Sequence, residues 1–525
     1  MDTVPKSPRP LYKKAEYAMT KNSCHIIEII GVTEKGFGVG YVGELVVFVD
    51  GGLTGDVVEA RLVKVKKSYA YGKIIQIVTP SPHRISSPCA VSSQCGGCQW
   101  QHCDYTAQLH FKKQIVTTAL SRIGGVDTES FTIHDTIGMK EPFRYRNKAV
   151  FPIVPNGDGF AFGMYAPRSH RLIEVSDCLI QHESHIGVLS ALREHMQRFK
   201  ITAYNEAAHR GLMRHVVIRT SFYTQEIMVV LVVNGRDFPH ADTFVQALSS
   251  HGINNATVLV NSNTTKSNTI LSNKLKLISG TGFIREKIGD IEYQLSALSF
   301  FQVNSVQARV LYETAIAQAG LTGAETVIDA HCGVGGVALF AAKHAKKVIG
   351  VDIVSSAIDD ARKNAALNGI TNAEFVLGAA EDVIPRMLGT AEELLTPQSV
   401  LAPQELIDPL GKGITPPSQT NNLFGGVIPS VIFLDPPRKG CDVVLLQAII
   451  AAGIGRVVYI SCDHATLARD IKVLAAGGYG LESVRLVDMF PFTGKVEGVA
   501  VLGWGLGSAV CLETIPNRNY PKSMI

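Results

Sequence analysis

An α/β fold in three parts is what this sequence predicts: a small OB-like β-barrel, a central α+β stretch, and a C-terminal doubly wound, mostly parallel sheet. Three observations carry the prediction. Short β-rich runs with Gly-containing turns fill residues 22–80, four cysteines crowd into 89–103, and after about residue 296 strands alternate with helices. At 525 residues the chain is too long for one core. Its 46% hydrophobic and 18% charged content exclude a disordered or fibrous class. No apolar run approaches a membrane span and the N-terminus has no apolar signal core, so a cytoplasmic protein with no membrane partner is expected, as a monomer. The net charge of +4 is too mild to imply a nucleic-acid partner by itself.

The first domain is expected over 15–80, where HIIEIIGV, YVGELVVFVD, VVEARLVKVKK and YGKIIQIV read as short strands. Lys64, Lys66 and Lys67 cluster beside Tyr69 and Tyr71; a solvated strand edge is the bland reading of that charge. TPSPHRISSP reads as a linker into a central domain, 81–295. There, YTAQLHFKKQIVTTALSRI predicts a helix over about 104–123, ended by Gly124-Gly125 and a candidate to pack on the third domain. The third domain is expected over 296–525. Its series is broken at 386–429 by a Pro/Gly/Gln-rich stretch that reads as a surface insertion.

Chemistry concentrates in this third part. In VIDAHCGVGG (327–336) a strand turns into a helix through glycines, which let backbone N–H groups approach a ligand. Asp352 ends the next strand, where a carboxylate can accept from ribose hydroxyls. The spacing is neither a dinucleotide GxGxxG nor a P-loop. It resembles the turn of class I S-adenosylmethionine methyltransferases. Asp435-Pro436-Pro437-Arg438 follows a later strand at the ligand-binding end of such a sheet; a merely stiff loop is the alternative.

Cys462 stands at the tip of the run VVYIS. If the methyl donor is S-adenosylmethionine, a thiol there suits one kind of acceptor. C5 of a pyrimidine is a poor nucleophile until a thiolate adds to C6, and a base must afterwards remove the C5 proton. Glu497 follows the next strand and can converge on the thiol, while Arg438 or Arg469 can supply the positive charge that ionises it. Taken singly, Cys462 reads equally as a buried inert thiol and Glu497 as a surface carboxylate.

At these residues the chain resembles the RNA uracil-C5 methyltransferases, which make 5-methyluridine in ribosomal and transfer RNA. The motifs are SFFQVN (299–304), DAHCGVGG (329–336), DPPRKG (435–440), SCDHATLARD (461–470) and DMFPFTGKVE (488–497). The resemblance implies Cys462 as nucleophile and Glu497 as base. It implies Gln302, His331, Gly336, Asp352 and Asp435 around S-adenosylmethionine, and Phe300 stacked on a flipped base. The chain departs from the family's pattern at Asp463-His464, where Asn-Pro is usual, and at Phe492 and Lys495, where His is usual. Asp463 beside the thiol is expected to raise its pKa.

Cys89, Cys95 and Cys98 offer three soft ligands, with Cys103 or Cys178 as a fourth, for zinc or an iron–sulfur cluster. The resemblance implies a [4Fe–4S] cluster held by Cys89, Cys95, Cys98 and Cys178, and with it a ribosomal rather than a transfer-RNA target. It also implies an N-terminal TRAM domain whose Lys66 touches RNA, and RNA contacts from Arg144, Arg146 and Lys148 in FRYRNK. Two rivals stand beside this reading: an RNA cytosine-C5 methyltransferase, whose paired cysteines are not apparent here, and a non-catalytic RNA-binding assembly factor on the same fold.

Overall fold

The computed structural model describes residues 19–390 and 429–506. The N-terminal lead-in, Cys511 and most of the predicted insertion lie outside the described residues. Arg386 and Met387, expected to open the insertion, instead close the helix Ala380–Met387. Among the described residues the chain forms two compact units, divided between Arg84 and Ile85.

The first unit is a six-stranded sheet in the order Cys24–Glu28, Val57–Val65, Tyr69–Thr79, Leu45–Asp50, Phe37–Val42, Gly31–Val32. It closes because its first strand leaves one neighbour for another. Ile27 and Glu28 pair with Val58 and Val57, and then Ile30 N–H donates to the Val39 carbonyl at 2.8 Å. Ile27, Ile29, Val47, Val49, Val58 and Leu62 fill the interior. Asp56 is fully buried and accepts from Leu53 and Ser81 N–H and from Arg84, which fixes the exit of the chain.

Residues 81–295 were expected to form a domain apart from 296–525, yet residues 85–295 and the described residues after 296 belong to one unit, the second. The physical reason is a shared core: Met228, Val230 and Leu259 pack in one cluster with Leu311, Val327, Phe433 and Ile460. The helix Tyr105–Arg122 buries Val116, Ala119 and Leu120 against Leu467, Ala468 and Ile471. Beyond it, Thr132–Ile133 adds an edge strand to the eight-stranded C-terminal sheet. The middle stretch has its own seven-stranded sheet, whose inner strands Met213–Thr220 and Ile227–Val233 are buried along nearly their whole length.

The eight-stranded sheet runs Ala373–Leu377, Lys347–Asp352, Thr326–Asp329, Val431–Leu434, Arg456–Ser461, Glu497–Trp504, Tyr479–Val487, Thr132–Ile133. The first five strands are mutually parallel, and Glu497–Trp504 runs antiparallel to both its neighbours. The order reverses between Thr326–Asp329 and Val431–Leu434, and ligands of such sheets bind outside the strand ends at that switch. No helix among the described residues is long and apolar enough to cross a membrane.

Candidate active site

Three of the residues singled out from sequence, Asp352, Asp435 and Cys462, stand at or just past the carboxyl ends of the parallel strands, together with Asp329, the first residue of the DAHCGVGG motif. The Gly-rich turn is built for close approach. Gly333 (φ +53°) and Gly335 (φ +90°) lie in the left-handed region, and Gly333 N–H donates to the Asp352 carboxylate at 2.9 Å. At Gly336, where the following helix begins, a Cβ would sit 2.8 Å from the Tyr312 hydroxyl.

One carboxylate here is short of partners. Asp329 is fully buried, and neither of its oxygens has a hydrogen bond of good geometry; the nearest donors are the His331 and Ala338 amides. Burial, and then the Asp435 charge, push Asp329 up to about 8, and burial pushes Asp435 up to about 7. His331 is pulled down to about 4 by burial and is neutral, with its Nδ1 unpaired. Tyr312, from the helix Ser305–Ala319, closes the floor: its hydroxyl meets the Gln302 side chain and feels Asp435, Asp329 and Glu497. A site lined by several acids, one of them unpaired, and a glycine turn fits a ligand that carries positive charge and hydroxyls. S-adenosylmethionine has a sulfonium, an ammonium and a ribose.

Cys462 follows the strand Arg456–Ser461, and Glu497 opens the antiparallel strand beside it. Ser461 pairs with Gly498, so these two candidate residues lie at the same end, one step past the last pair. Burial, then the Glu497 charge, then Asp435 push the thiol up to about 11; Arg438 opposes them. Burial and Asp435 push Glu497 up to about 8, opposed by Lys495 and Arg438. Arg438 is therefore the guanidinium that favours a thiolate. Arg469, the other candidate, pairs with Asp470 and donates to the Lys439 and Cys441 carbonyls, bracing the DPPRKG loop instead. Asp463 does raise the thiol as expected, but as the weakest of the named influences. Its carboxylate caps the helix His464–Ala476, accepting from Ala465 and Thr466 N–H at 3.1 Å each.

SFFQVN splits its two phenylalanines. Phe301 is buried edge-to-face against Tyr293, whereas Phe300 is 74% exposed. Asn147, within FRYRNK, ties this loop down through its side chain to the Gln302 carbonyl and its amide to the Val303 carbonyl. Lys148 pairs in register with Arg219 of the neighbouring strand, so two cations share one face, and Arg146 is near enough for its charge to act on Lys148. Burial and then these like charges pull Lys148 down to about 8. Arg219 is buried and donates to the Ser299 carbonyl. The sequence reading missed Arg219, as it missed Tyr312; strand pairing alone reveals the first. Arg144 is engaged elsewhere, as a two-pronged pair with Asp177 that also reaches the Cys178 carbonyl. In the first unit, Lys66 is exposed next to a nest of rings in which Phe48, Tyr69 and Tyr71 contact one another and Phe37 contacts Tyr71.

The four cysteines Cys89, Cys95, Cys98 and Cys178 are half-buried and feel one another's charge. Donors already point at three sulfurs: Gly97 N–H at Cys95, the Gln101 amide at Cys98, and the Ile180 and Gln181 amides at Cys178. Burial pushes Cys98 up to about 12, so a bound metal is what would hold it as a thiolate. Cys103 lies outside this group, fully buried, with its thiol on the Asp104 carbonyl. Among the described residues no three His, Cys, Asp or Glu side chains are grouped to hold a single metal ion. The ligands of a cubane cluster each bond a different iron, which spaces their sulfurs more widely than ligands of one ion.

A doubly wound sheet with this glycine turn and acidic rim defines an S-adenosylmethionine-dependent methyltransferase. Three family models agree: a methyltransferase domain over 321–393, a tRNA (uracil-5-)-methyltransferase over 427–503 and a TRAM domain over 26–75. The chain is 41% identical over 489 residues to an uncharacterized RNA methyltransferase of Halalkalibacterium halodurans, covering 93% of this chain and 99% of that one. It is 38% identical to one of Clostridium tetani, covering 93% and 98%. In fold it is similar to the tRNA (uracil-54, C5)-methyltransferase of Pyrococcus abyssi solved with S-adenosyl-L-homocysteine, at TM-score 0.67 and 24% identity, covering 91% of this chain and all of that one. The chain belongs to the RNA uracil-5-methyltransferase family, in its TRAM-bearing form.

Proposed function

We propose that the protein methylates C5 of a specific uridine in ribosomal RNA through a covalent adduct between Cys462 and C6 of the base. The observation that carries this is the placement of Cys462 and Glu497 at the same end of adjacent strands. When bound, S-adenosylmethionine would supply an electrophilic methyl group, and Gln302, His331, Gly336, Asp352 and Asp435 are the residues that would hold it. The Cys462 sulfur bonds to C6, and the electrons of the C5–C6 double bond move to C5, which takes the methyl as the donor's S–CH3 bond breaks and S-adenosylhomocysteine, a neutral thioether, leaves. Glu497 then removes the C5 proton, the double bond re-forms, and the sulfur leaves as thiolate. Arg438 favours that thiolate.

The base must leave its stack to reach the sulfur, and exposed Phe300 offers a ring to hold it. Arg146, Lys148 and Lys66 are read as phosphate contacts, with the Tyr69–Tyr71 nest as a stacking platform. Cys89, Cys95, Cys98 and Cys178 are read as ligands of a [4Fe–4S] cluster; the mutual nearness of the thiols and the N–H groups aimed at them support this. The ribosomal target rests on the resemblance of that cysteine motif. Transfer RNA is the second reading, since the Pyrococcus abyssi neighbour is a tRNA enzyme.

Mapping 5-methyluridine in ribosomal and transfer RNA from cells with and without the protein tests the substrate. Loss of one ribosomal site, restored by the parent chain and not by Cys462→Ala, is expected. Loss confined to transfer RNA would overturn the ribosomal assignment, and methylation by Cys462→Ala would overturn the adduct.

A further inference from the structure

Lys112 is a lysine that the reaction as described does not use, yet it is among the most deeply buried side chains of the protein. Its ammonium pairs with Asp488, and both side chains are 0% exposed. An unpaired charge at such a depth costs several kcal/mol, so the pair exists only if its geometry is held by further bonds. It is. Lys112 also donates to the Phe490 carbonyl at 3.1 Å. Asp488 accepts from the Tyr105 hydroxyl at 3.0 Å and from Phe490 N–H at 3.1 Å. The Tyr105 oxygen in turn accepts from Met139 N–H at 2.8 Å.

The position of Asp488 gives the network its meaning. It stands one residue past the strand Tyr479–Val487, and the next strand begins with Glu497. The intervening turn is gripped along its length by other parts of the chain. Gln307 donates to the Asp488 carbonyl and Asn304 to the Met489 carbonyl, both at 3.1 Å, and Tyr145 donates to the Pro491 carbonyl at 3.2 Å. Phe492 is strained, with φ +65° in a non-glycine residue. Its N–H donates to the Gln108 side chain at 2.9 Å, and its carbonyl accepts from both Gln99 and Trp100 N–H at 2.9 Å. Its ring stacks on Phe143 at 4.5 Å, and Cys98 and Cys178 pack against the small cluster it forms with Tyr145 and Ile180.

We infer that Lys112 and Tyr105, acting through Asp488, are positioning residues for the base Glu497. They fix the 488–493 turn so that the following strand starts with its carboxylate beside Cys462. The cysteine-bearing loop is a second strut on the same turn, through Gln99 and Trp100. The inference rests on the covalent reading above and adds residues that touch neither RNA nor the methyl donor. Its consequence is specific to one step: steps up to methyl transfer need Cys462, whereas release of the product needs Glu497.

The test uses two full-length variants. Tyr105→Phe removes a single hydroxyl. Lys112→Met/Asp488→Asn removes both charges together, which avoids stranding one of them in the core. Each is given 5-fluorouridine RNA, which arrests at the methylated adduct because fluorine cannot leave as a proton, and ordinary uridine RNA, which must be released. The expected result is an adduct rate on 5-fluorouridine RNA and a KM for RNA within about two-fold of the parent. Alongside it, kcat falls about ten-fold or more and a covalent adduct accumulates on uridine RNA. Parent-like turnover in both variants would overturn the inference. So would adduct formation, methyl-donor binding and kcat all falling together, the mark of a purely structural role. If the parent forms no adduct even on 5-fluorouridine RNA, the covalent reading fails and this inference with it.

Discussion

Cys462 and Glu497 face the same space because Ser461 and Gly498, their immediate neighbours, form the last pair of two adjacent antiparallel strands. Residues directly opposite on such strands are about 5 Å apart. The separation is therefore set by backbone register and not by side-chain chance. It also explains the electrostatics: Glu497 is the strongest charge acting on the Cys462 thiol.

Replacing Glu497 by Gln should remove the base and keep the nucleophile. A loss of about 10²–10⁴-fold in turnover is expected, with accumulation of a covalent complex on ordinary uridine RNA. Denaturing gels of the reaction measure it; free RNA carrying 5-methyluridine at the parent rate would contradict it.

The same carboxyl makes stability depend on pH, with a definite sign. Its ordinary value is 4.5, and in the folded protein burial raises it to about 8. Between those values the unfolded chain has lost a proton that the folded chain keeps, so stability falls as pH rises from about 4.5 to about 8 and levels above. Glu497→Gln removes that penalty. Its gain over the parent should be on the order of 1–3 kcal/mol larger at pH 8 than at pH 5. Thermal melts at the two pH values compare the two proteins.

Asp463 should matter as a cap more than as a charge. Asp463→Ala loses two hydrogen bonds to the first turn of its helix and should cost about 1 kcal/mol. Asp463→Asn keeps the cap and should change stability little, with turnover equal to the parent or modestly higher. Denaturant unfolding and steady-state rates read the two effects separately.

Serine at Cys89, Cys95, Cys98 or Cys178 should abolish stoichiometric iron and sulfide and the accompanying visible absorbance. Cys103→Ser should retain them, because its thiol lies on the Asp104 carbonyl and outside the group. Equal loss in all five variants would contradict the assignment of ligands.

The sheet and the residues at its carboxyl end were legible in the sequence because local pattern dictates them. VIDAHCGVGG is strand, turn and helix within ten residues, and Cys462 ends an unbroken apolar run. Long-range pairings were not legible. Lys112 reads as an ordinary polar position of an amphipathic helix, and only its partner 376 residues away reveals it as core. Arg144 reads as a free cation until Asp177 is seen in its fork. The two-residue strand Thr132–Ile133 carries no periodicity at all, since it is defined by the edge it joins. The same long-range pairing joins residues 85–295 with the C-terminal part in one unit, against the expectation of separate domains.

The most direct test of the account is to incubate the protein with S-adenosylmethionine and 5-fluorouridine RNA, digest the product, and locate the cross-link by mass spectrometry. A methylated fluoropyrimidine on the peptide that contains Cys462 is the predicted result. A cross-link on any other residue, or none while uridine RNA is still methylated, would contradict it.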